Sequence, residues 1–308
     1  MVGEVVLIRE STGRSNHSGS SGLSPATLRA RWYSHSSLTW SSRRSQDWRR
    51  WHTGLMSEWR TPVVVLAWIP ITLGLDGGVT LPQQYLLGLM TWSLLLLLLR
   101  SETPLVRVQV AVVIAFATLV EYTFSPWLEV YTYRFDNVPA FVPPGHGLVY
   151  LAALCMGRST FFRTHARSLV TATIIVGGLY AMWGISPWSP RSDLLGFFWF
   201  GCLLGFLAWG RSRLLYVGAF VVVTYLELIG TRLGTWEWQT YDPTGLVTMG
   251  NPPSGAAGGY GWFDLAAITL APLLLGWWQR LRSRSGKRPE NYGVESAVRG
   301  DRIPADQG

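Results

Sequence analysis

Long, unbroken apolar runs constrain this chain more than any other feature. Six consecutive leucines, Leu94–Leu99, close a segment that opens near residue 83, and comparable stretches recur as far as residue 278. These runs lack the period-two alternation of a half-buried strand. A helix needs roughly 20 mostly apolar residues to cross the hydrocarbon core of a bilayer. Eight segments are candidates: about 61–76, 83–99, 105–124, 143–162, 168–186, 193–210, 213–231 and 259–278. The expected fold is therefore all-α, a polytopic membrane bundle of about eight spans. Charge content agrees. Only 14% of the residues are charged and 48% are hydrophobic, whereas a soluble domain carries about 25% charged residues. An ordinary soluble enzyme, a disulfide scaffold and a mainly disordered protein are excluded.

The two ends differ from the middle. Residues 1–58 are rich in Ser and Arg and hold no apolar run able to span or pack, so a disordered basic tail is expected there. Arg43, Arg44, Arg49 and Arg50 beside Trp48 and Trp51 read as a solvated tail, or as a segment lying on an anionic membrane surface. Met56, just before the first apolar segment, is the expected start of natural translation. Residues 281–308 form a second polar tail, also expected to be disordered. Cys155 and Cys202 each sit inside an apolar run, as small apolar-facing residues rather than as halves of a disulfide.

Orientation follows from the basic residues, which accumulate on the cytoplasmic side. Arg100, Arg107, Arg158, Arg163, Arg167, Arg211 and Arg213 fall in one set of loops, and both basic tails belong with them. The opposite loops hold only Arg134, Arg191 and Arg232. Both termini are expected in the cytoplasm of a multi-pass cell-membrane protein, with the long loops 125–142 and 232–258 facing outward. The net charge of +8 thus argues topology, not nucleic-acid binding.

The chain also resembles itself. A stretch beginning at Leu119 parallels one beginning at Tyr225. Glu121 corresponds to Glu227, Tyr131 and Tyr133 to Trp236 and Trp238, and Pro143-Pro144 to Pro252-Pro253. Tyr150 and the Leu-Ala-Ala after it correspond to Trp262 or Phe263 and the Leu-Ala-Ala after Asp264. Residues 59–165 and 166–280 then form two four-helix repeats in parallel orientation, related by an axis along the membrane normal.

Ionisable residues inside spans are costly and tend to be functional or paired. Glu121 and Glu227 near the outer ends of two spans, with His146 and Asp264 nearby, form a candidate acid/base set. Each carboxylate could instead pair with Arg134, Arg232 or a helix N-terminus, and His146 and Asp264 lie close enough to span ends to reach water. Pro suits the first turn of a helix, so the two Pro-Pro motifs read as the outer starts of spans four and eight. The small run Ser254–Gly259 would let another element or a ligand approach closely. Tyr131, Tyr133, Trp236, Trp238 and Ser254 are candidate substrate-binding residues. The other outer aromatics, Tyr122, Phe124, Trp127, Tyr241, Tyr260 and Trp262, divide between an interfacial belt and a pocket lining. Ser254 with His146 gives only a partial match to an intramembrane serine-protease motif. No phosphate-binding Gly loop, Asp-rich diphosphate site or His box is present, so no cofactor and no metal are expected.

At the repeated motif the chain resembles the membrane carotenoid-biosynthesis family that includes the bacterioruberin-type hydratases and, more distantly, the small lycopene cyclases. The resemblance rests on Glu121, Tyr131, Tyr133, Val138-Pro139 and Val142-Pro143, then on Glu227, Gly230, Gly234, Trp236 and Trp238. The Pro-x-Glu-Glu acid pair of the cyclases is absent, the matching places reading Pro-Pro-Gly-His and Pro-Pro-Ser-Gly. The resemblance implies acid-catalysed hydration or cyclisation of a carotenoid or other isoprenoid lipid, without a cofactor. Glu121 or Glu227 would then be the acid, and His146 or Asp264 would orient water. A transporter with these acids on a pseudo-symmetric pathway, or a lipid-handling or assembly protein, fits the same residues. Nothing in the chain specifies an oligomeric state.

Two measurements test this reading. A reporter fused after Gly308 should be cytoplasmic, and an external signal would invert the topology. N-terminal sequencing of the native protein should start at or near Met56, and residues before it would refute that start.

Overall fold

The computed structural model describes residues 39–284 and divides the chain into two units, Met1–His52 and Thr53–Gly308. The description below concerns the second. The expected disordered tails fall largely outside the described residues, although residues 39–58 are helical and belong to α1 (Thr39–Asp76). The remaining helices are α2 (Leu81–Leu99), α3 (Pro104–Tyr122), α4 (Val142–Arg158), α5 (Thr160–Thr164), α6 (Ala166–Gly184), α7 (Leu194–Trp209), α8 (Arg213–Arg232) and α9 (Ala256–Arg284). Two three-residue strands, β1 (Tyr131–Tyr133) and β2 (Trp236–Trp238), complete the order.

The expected apolar segments fall on helices, with that of 143–162 divided between α4 and α5 at Ser159. Among the described residues, five helices are long and apolar enough to cross a membrane: α2, α3 with its π-helical continuation to Trp127, α6, α8 and α9. This makes the chain an integral membrane protein. Of the rest, α7 is apolar but 16 residues long, and α4 has 17. Large apolar side chains such as Leu89, Leu179, Phe198 and Leu273 are exposed on the helix surfaces, as lipid-facing residues must be.

Local chemistry sets the helix ends. Thr103 caps α3 by accepting from the Val106 N–H, with Pro104 at the first helical position. Arg107 reaches back to the carbonyls of Leu99 (3.0 Å) and Arg100 (2.9 Å), satisfying acceptors that the end of α2 leaves open. Arg213 does the same for Ala208 at the end of α7 (2.7 Å). Two of the expected cytoplasmic arginines thus close helical hairpins. At the other end of α8, Gly234 takes a left-handed conformation (φ 69°). The Thr235 N–H then returns to the Gly230 carbonyl (2.9 Å), a glycine-terminated helix end leading straight into β2.

The core gathers around α4, which is buried along nearly its whole length and packs on α8, α3 and α2, while α9 packs on α3, α7 and α8. Small residues allow the closest approaches. A Cβ at Gly218 would lie 2.5 Å from the Ala153 carbonyl oxygen of α4. Cβ atoms at Gly255 and Gly258 would collide with the carbonyls of Gly196 and Trp199 on α7. The element that the Ser254–Gly259 run admits is therefore α7.

Pro143 and Pro144 sit in the first turn of α4, as expected. Pro252 and Pro253 do not start α9. They lie in a loop that Asp193 has fastened to α7 before the helix begins at Ala256.

The ribbon is the departure from an all-helical architecture among the described residues. Its strands pair antiparallel, with Tyr131 opposite Trp238, Thr132 opposite Glu237 and Tyr133 opposite Trp236, a register symmetric about its centre.

Gly218→Ala should destabilise the fold by about 1–3 kcal/mol through overpacking. Gly276→Ala, where a Cβ meets nothing within 4 Å, should be neutral or slightly stabilising. Thermal unfolding of the two variants in detergent separates them, and equal effects would contradict this packing.

Candidate functional site

In a strand, residues two apart share a face. The aromatic-x-aromatic tripeptides therefore present Tyr131, Tyr133, Trp236 and Trp238 together on the buried face, leaving Glu237 exposed on the other. The rings interlock across the ribbon. Tyr131 and Trp238 have centroids 4.6 Å apart and Tyr133 and Trp236 6.1 Å apart, both within aromatic-pair range.

Below the ribbon lie the two carboxylates. Glu121, in the last turn of α3, accepts through Oε2 from the hydroxyls of Tyr131 (2.9 Å) and Tyr133 (2.8 Å). Its Oε1 is 2.8 Å from His146 Nε2 on α4. Glu227, near the end of α8, accepts through Oε2 from the indole N–H groups of Trp236 (3.1 Å) and Trp238 (3.2 Å). Each strand thus delivers two aromatic donors to one oxygen of the carboxylate from its own half of the chain. Gly230 makes the second arrangement possible, because a Cβ there would occupy the place of the Trp236 ring. Burial, then the Glu121 carboxylate beside them, holds the Tyr131 and Tyr133 phenols well above their ordinary value, so they remain donors at neutral pH.

Neither glutamate forms an ion pair with Arg134 or Arg232 among the described residues. Arg134 lies 3.6 Å from the Asp76 carboxylate and donates to the Asp76 and Val79 carbonyls. Gln84 completes the Asp76 cluster at 2.7 Å. Arg191 donates to the Trp238 carbonyl (2.8 Å) and to Thr240 Oγ1 (3.0 Å). Both arginines fasten backbone beside the ribbon, leaving His146 as the one basic group among the described residues that touches a site carboxylate.

Glu121, Glu227, His146, Tyr131, Tyr133, Trp236 and Trp238 all line one cavity of about 320 Å³. Its remaining wall is mostly apolar and aromatic, with Trp68 of α1, Phe116 of α3, Trp199 of α7 and Tyr260 and Phe263 of α9, and it also carries Thr72 and Thr91. Tyr260 stacks on His146 at 5.1 Å, and Phe263 meets it edge-on at 5.5 Å. The expected aromatic set thus divides. Phe124 and Tyr260 line the cavity with the ribbon residues, Trp262 lines it while half exposed, and Tyr122, Trp127 and Tyr241 are exposed away from it.

Two candidates lie elsewhere. Asp264 is buried but does not line the cavity. Ser254 also lies outside it, its N–H donating to Asp193 Oδ2 at 2.6 Å. Neither His146 nor Asp264 opens to the outer surface, each being about 5% exposed. Cys155 and Cys202 are free thiols. Among the described residues no group of three or more His, Cys, Asp or Glu could hold a metal.

Sequence reasoning passed over Asp193. Its Oδ1 accepts from the N–H groups of Gly196 (2.9 Å) and Gly250 (2.8 Å), so one side chain caps α7 and clamps the loop before α9. In that loop Asn251 Oδ1 accepts from the Trp238 N–H (3.2 Å), carrying the clamp through to β2. An Asp immediately before an apolar helical run is the signal that could have found it. Trp199 and Phe263 have no such mark, since each is one aromatic among many, whereas Tyr260 is one of the outer aromatics expected to divide between belt and pocket lining.

Comparison with family profiles, curated proteins and solved structures finds no match to this chain.

Asp193→Ala would strand three buried N–H donors, costing ~3 kcal/mol or more. The unfolding midpoint in detergent should fall by several degrees, and an unchanged midpoint would show the clamp to be dispensable. Because folding raises the Tyr131 and Tyr133 pKa values, their stabilising contribution is complete below about pH 10 and is lost as pH rises through the folded values. The unfolding midpoint should therefore fall above that pH, less steeply in Tyr131→Phe/Tyr133→Phe. Equal slopes would contradict the buried-donor arrangement.

Proposed function

We propose that this protein is a multi-pass enzyme of the cell membrane that performs acid-catalysed hydration, or cyclisation, on a carotenoid or other isoprenoid lipid. The observation that carries the reading is a pair of buried carboxylates, each held by two aromatic donors and both facing one apolar, aromatic-walled cavity. The resemblance at the repeated motif points to the same chemistry.

A carboxylic acid in an apolar cavity can protonate a carbon–carbon double bond, leaving a cation on the chain. The faces of Trp and Tyr stabilise such a cation through their quadrupoles. In hydration, water then attacks the cation and loses a proton to a base, so one water is consumed and the acid is regenerated. Glu121 or Glu227 serves as the acid: with Glu121, His146 takes the proton from water and passes it to Glu121 across their 2.8 Å contact, and with Glu227 the carboxylate itself takes the proton back from water. No cofactor enters the balance. A cavity of about 320 Å³ lies at the small end of ligand sites and suits the end group of a long isoprenoid. The remainder of that chain would lie along the lipid-facing exterior.

The same proposal includes about eight spans with both termini cytoplasmic, and two repeats of four helices. Support for the repeat comes from the symmetric ribbon register and from the matched carboxylate–aromatic pairs. Arg107 and Arg213 add to it, each 14 positions before its glutamate (121 − 107 and 227 − 213) and each closing the hairpin before it.

Lipids and pigments extracted from a deletion strain should lack a hydroxylated or cyclised isoprenoid, by mass analysis. Complementation with the wild-type gene should restore it, and Glu121→Gln with Glu227→Gln should not. Full product from the double variant would refute the acid assignment. Unchanged lipids in the deletion strain, together with proton-coupled flux in liposomes, would make the protein a transporter.

A further inference from the structure

From the cavity edge inward, the interior holds a second set of polar atoms that the proposed reaction does not use. His146 Nδ1, Tyr150 Oη, Asp264 Oδ2 and Tyr216 Oη are all buried and make no hydrogen bond to any described group. Their residues are 5% exposed or less. Groups of this kind in a native interior normally find a partner, and ordered water supplies it where protein does not.

Their placement is ordered. Tyr150 follows His146 by one turn on α4, and Asp264 follows Tyr260 by one turn on α9, so each pair shares a helix face. The stack of His146 on Tyr260 brings those two faces opposite each other. The Leu-Ala-Ala that follows Tyr150 also follows Asp264, and Asp264 lies within electrostatic reach of both Tyr150 and Tyr216. Tyr216 continues the line away from the ribbon. Gly218 packs on Ala153, and Gly157 on Leu214 and Leu215, which sets Tyr216 more than a turn beyond Tyr150 along α4. It lies within the first turn of α8, three residues from Arg213, with its ring stacked on Phe206 at 4.9 Å. From His146 to Arg158 at the far end of α4 is about 18 Å at 1.5 Å per residue.

We propose that Tyr150, Asp264 and Tyr216 hold a file of ordered waters between α4, α8 and α9. The file links His146 in the cavity to the opposite end of the bundle and delivers the water that hydration consumes. His146 belongs to both sets, since Nε2 meets Glu121 inside the cavity and Nδ1 meets the file. Water delivery rests on the hydratase reading, whereas the hydration of the file does not.

X-ray hydroxyl-radical footprinting of the detergent-purified full chain tests the file without turnover. Radicals form from water in place, so Tyr150 and Tyr216 should be labelled although both are buried. Phe162, equally buried but packed among the aromatic rings of Trp59 and Phe161, should not. Asp264→Leu should lose the label at both tyrosines, and Asp264→Asn, which keeps two polar atoms, should retain it. Wild-type Tyr150 and Tyr216 as unreactive as Phe162 would overturn the proposal whether or not the leucine variant folds. Labelling of the wild type that persists in a folded Asp264→Leu protein would overturn the role of Asp264. Labelled tyrosines in a protein without hydratase activity would leave the file standing and refute only water delivery.

Discussion

A carboxylate buried in a membrane protein must find hydrogen-bond donors inside the fold, because lipid offers none. The ribbon end of this molecule is organised around that requirement. Glu121 and Glu227 take their donors from two short strands whose side-chain period sets two aromatic rings over each acid. Much of the surrounding backbone serves to bring the strands there. Gly234 turns the chain out of α8, Gly230 leaves room for the Trp236 ring, and the antiparallel register joins β1 to β2. Using neutral donors rather than arginine leaves the acids without a guanidinium partner, and so open to proton chemistry.

Charged residues at the same end act on backbone instead. Asp76 with Arg134 holds one margin of the ribbon region, and Asp193 with Asn251 and Arg191 holds the other. These contacts are costly to remove because they satisfy buried polar groups. They keep a three-residue ribbon in place, which alone would be too short to persist. A fixed roof over the cavity is what a reaction through a cation needs, since rings that moved away would cease to stabilise it.

Much of this was legible in the sequence, for identifiable reasons. Apolar runs specify helices because little else can be done with them in lipid. Glu121 and Glu227 stood out as acids inside such runs. The aromatic pairs stood out because they recur at matching distances from those acids. Other elements were not legible. Pro252-Pro253 looked like a helix start, but Asp193 sits 57 residues before Gly250, and a clamp that distant in sequence leaves no local trace. Asp264 looked like a partner of Glu121 because it falls near the end of a span. The one-turn offset between Tyr260 and Asp264 places it below the cavity instead. The aromatics divide between cavity and exterior by how each helix and loop is turned, with Tyr260 facing the cavity from α9 and Tyr122 exposed at the end of α3, which composition does not specify.

The central claim is that the space under the ribbon is built for an isoprenoid chain. Its most direct test is mass analysis of lipids that co-purify with the wild-type protein from its native membrane, against Trp236→Ala/Trp238→Ala prepared in the same way. The account predicts a polyene or isoprenoid enriched with the wild type over the bulk membrane and lost from the variant. Bulk phospholipid alone, in the same proportions from both proteins, would contradict it.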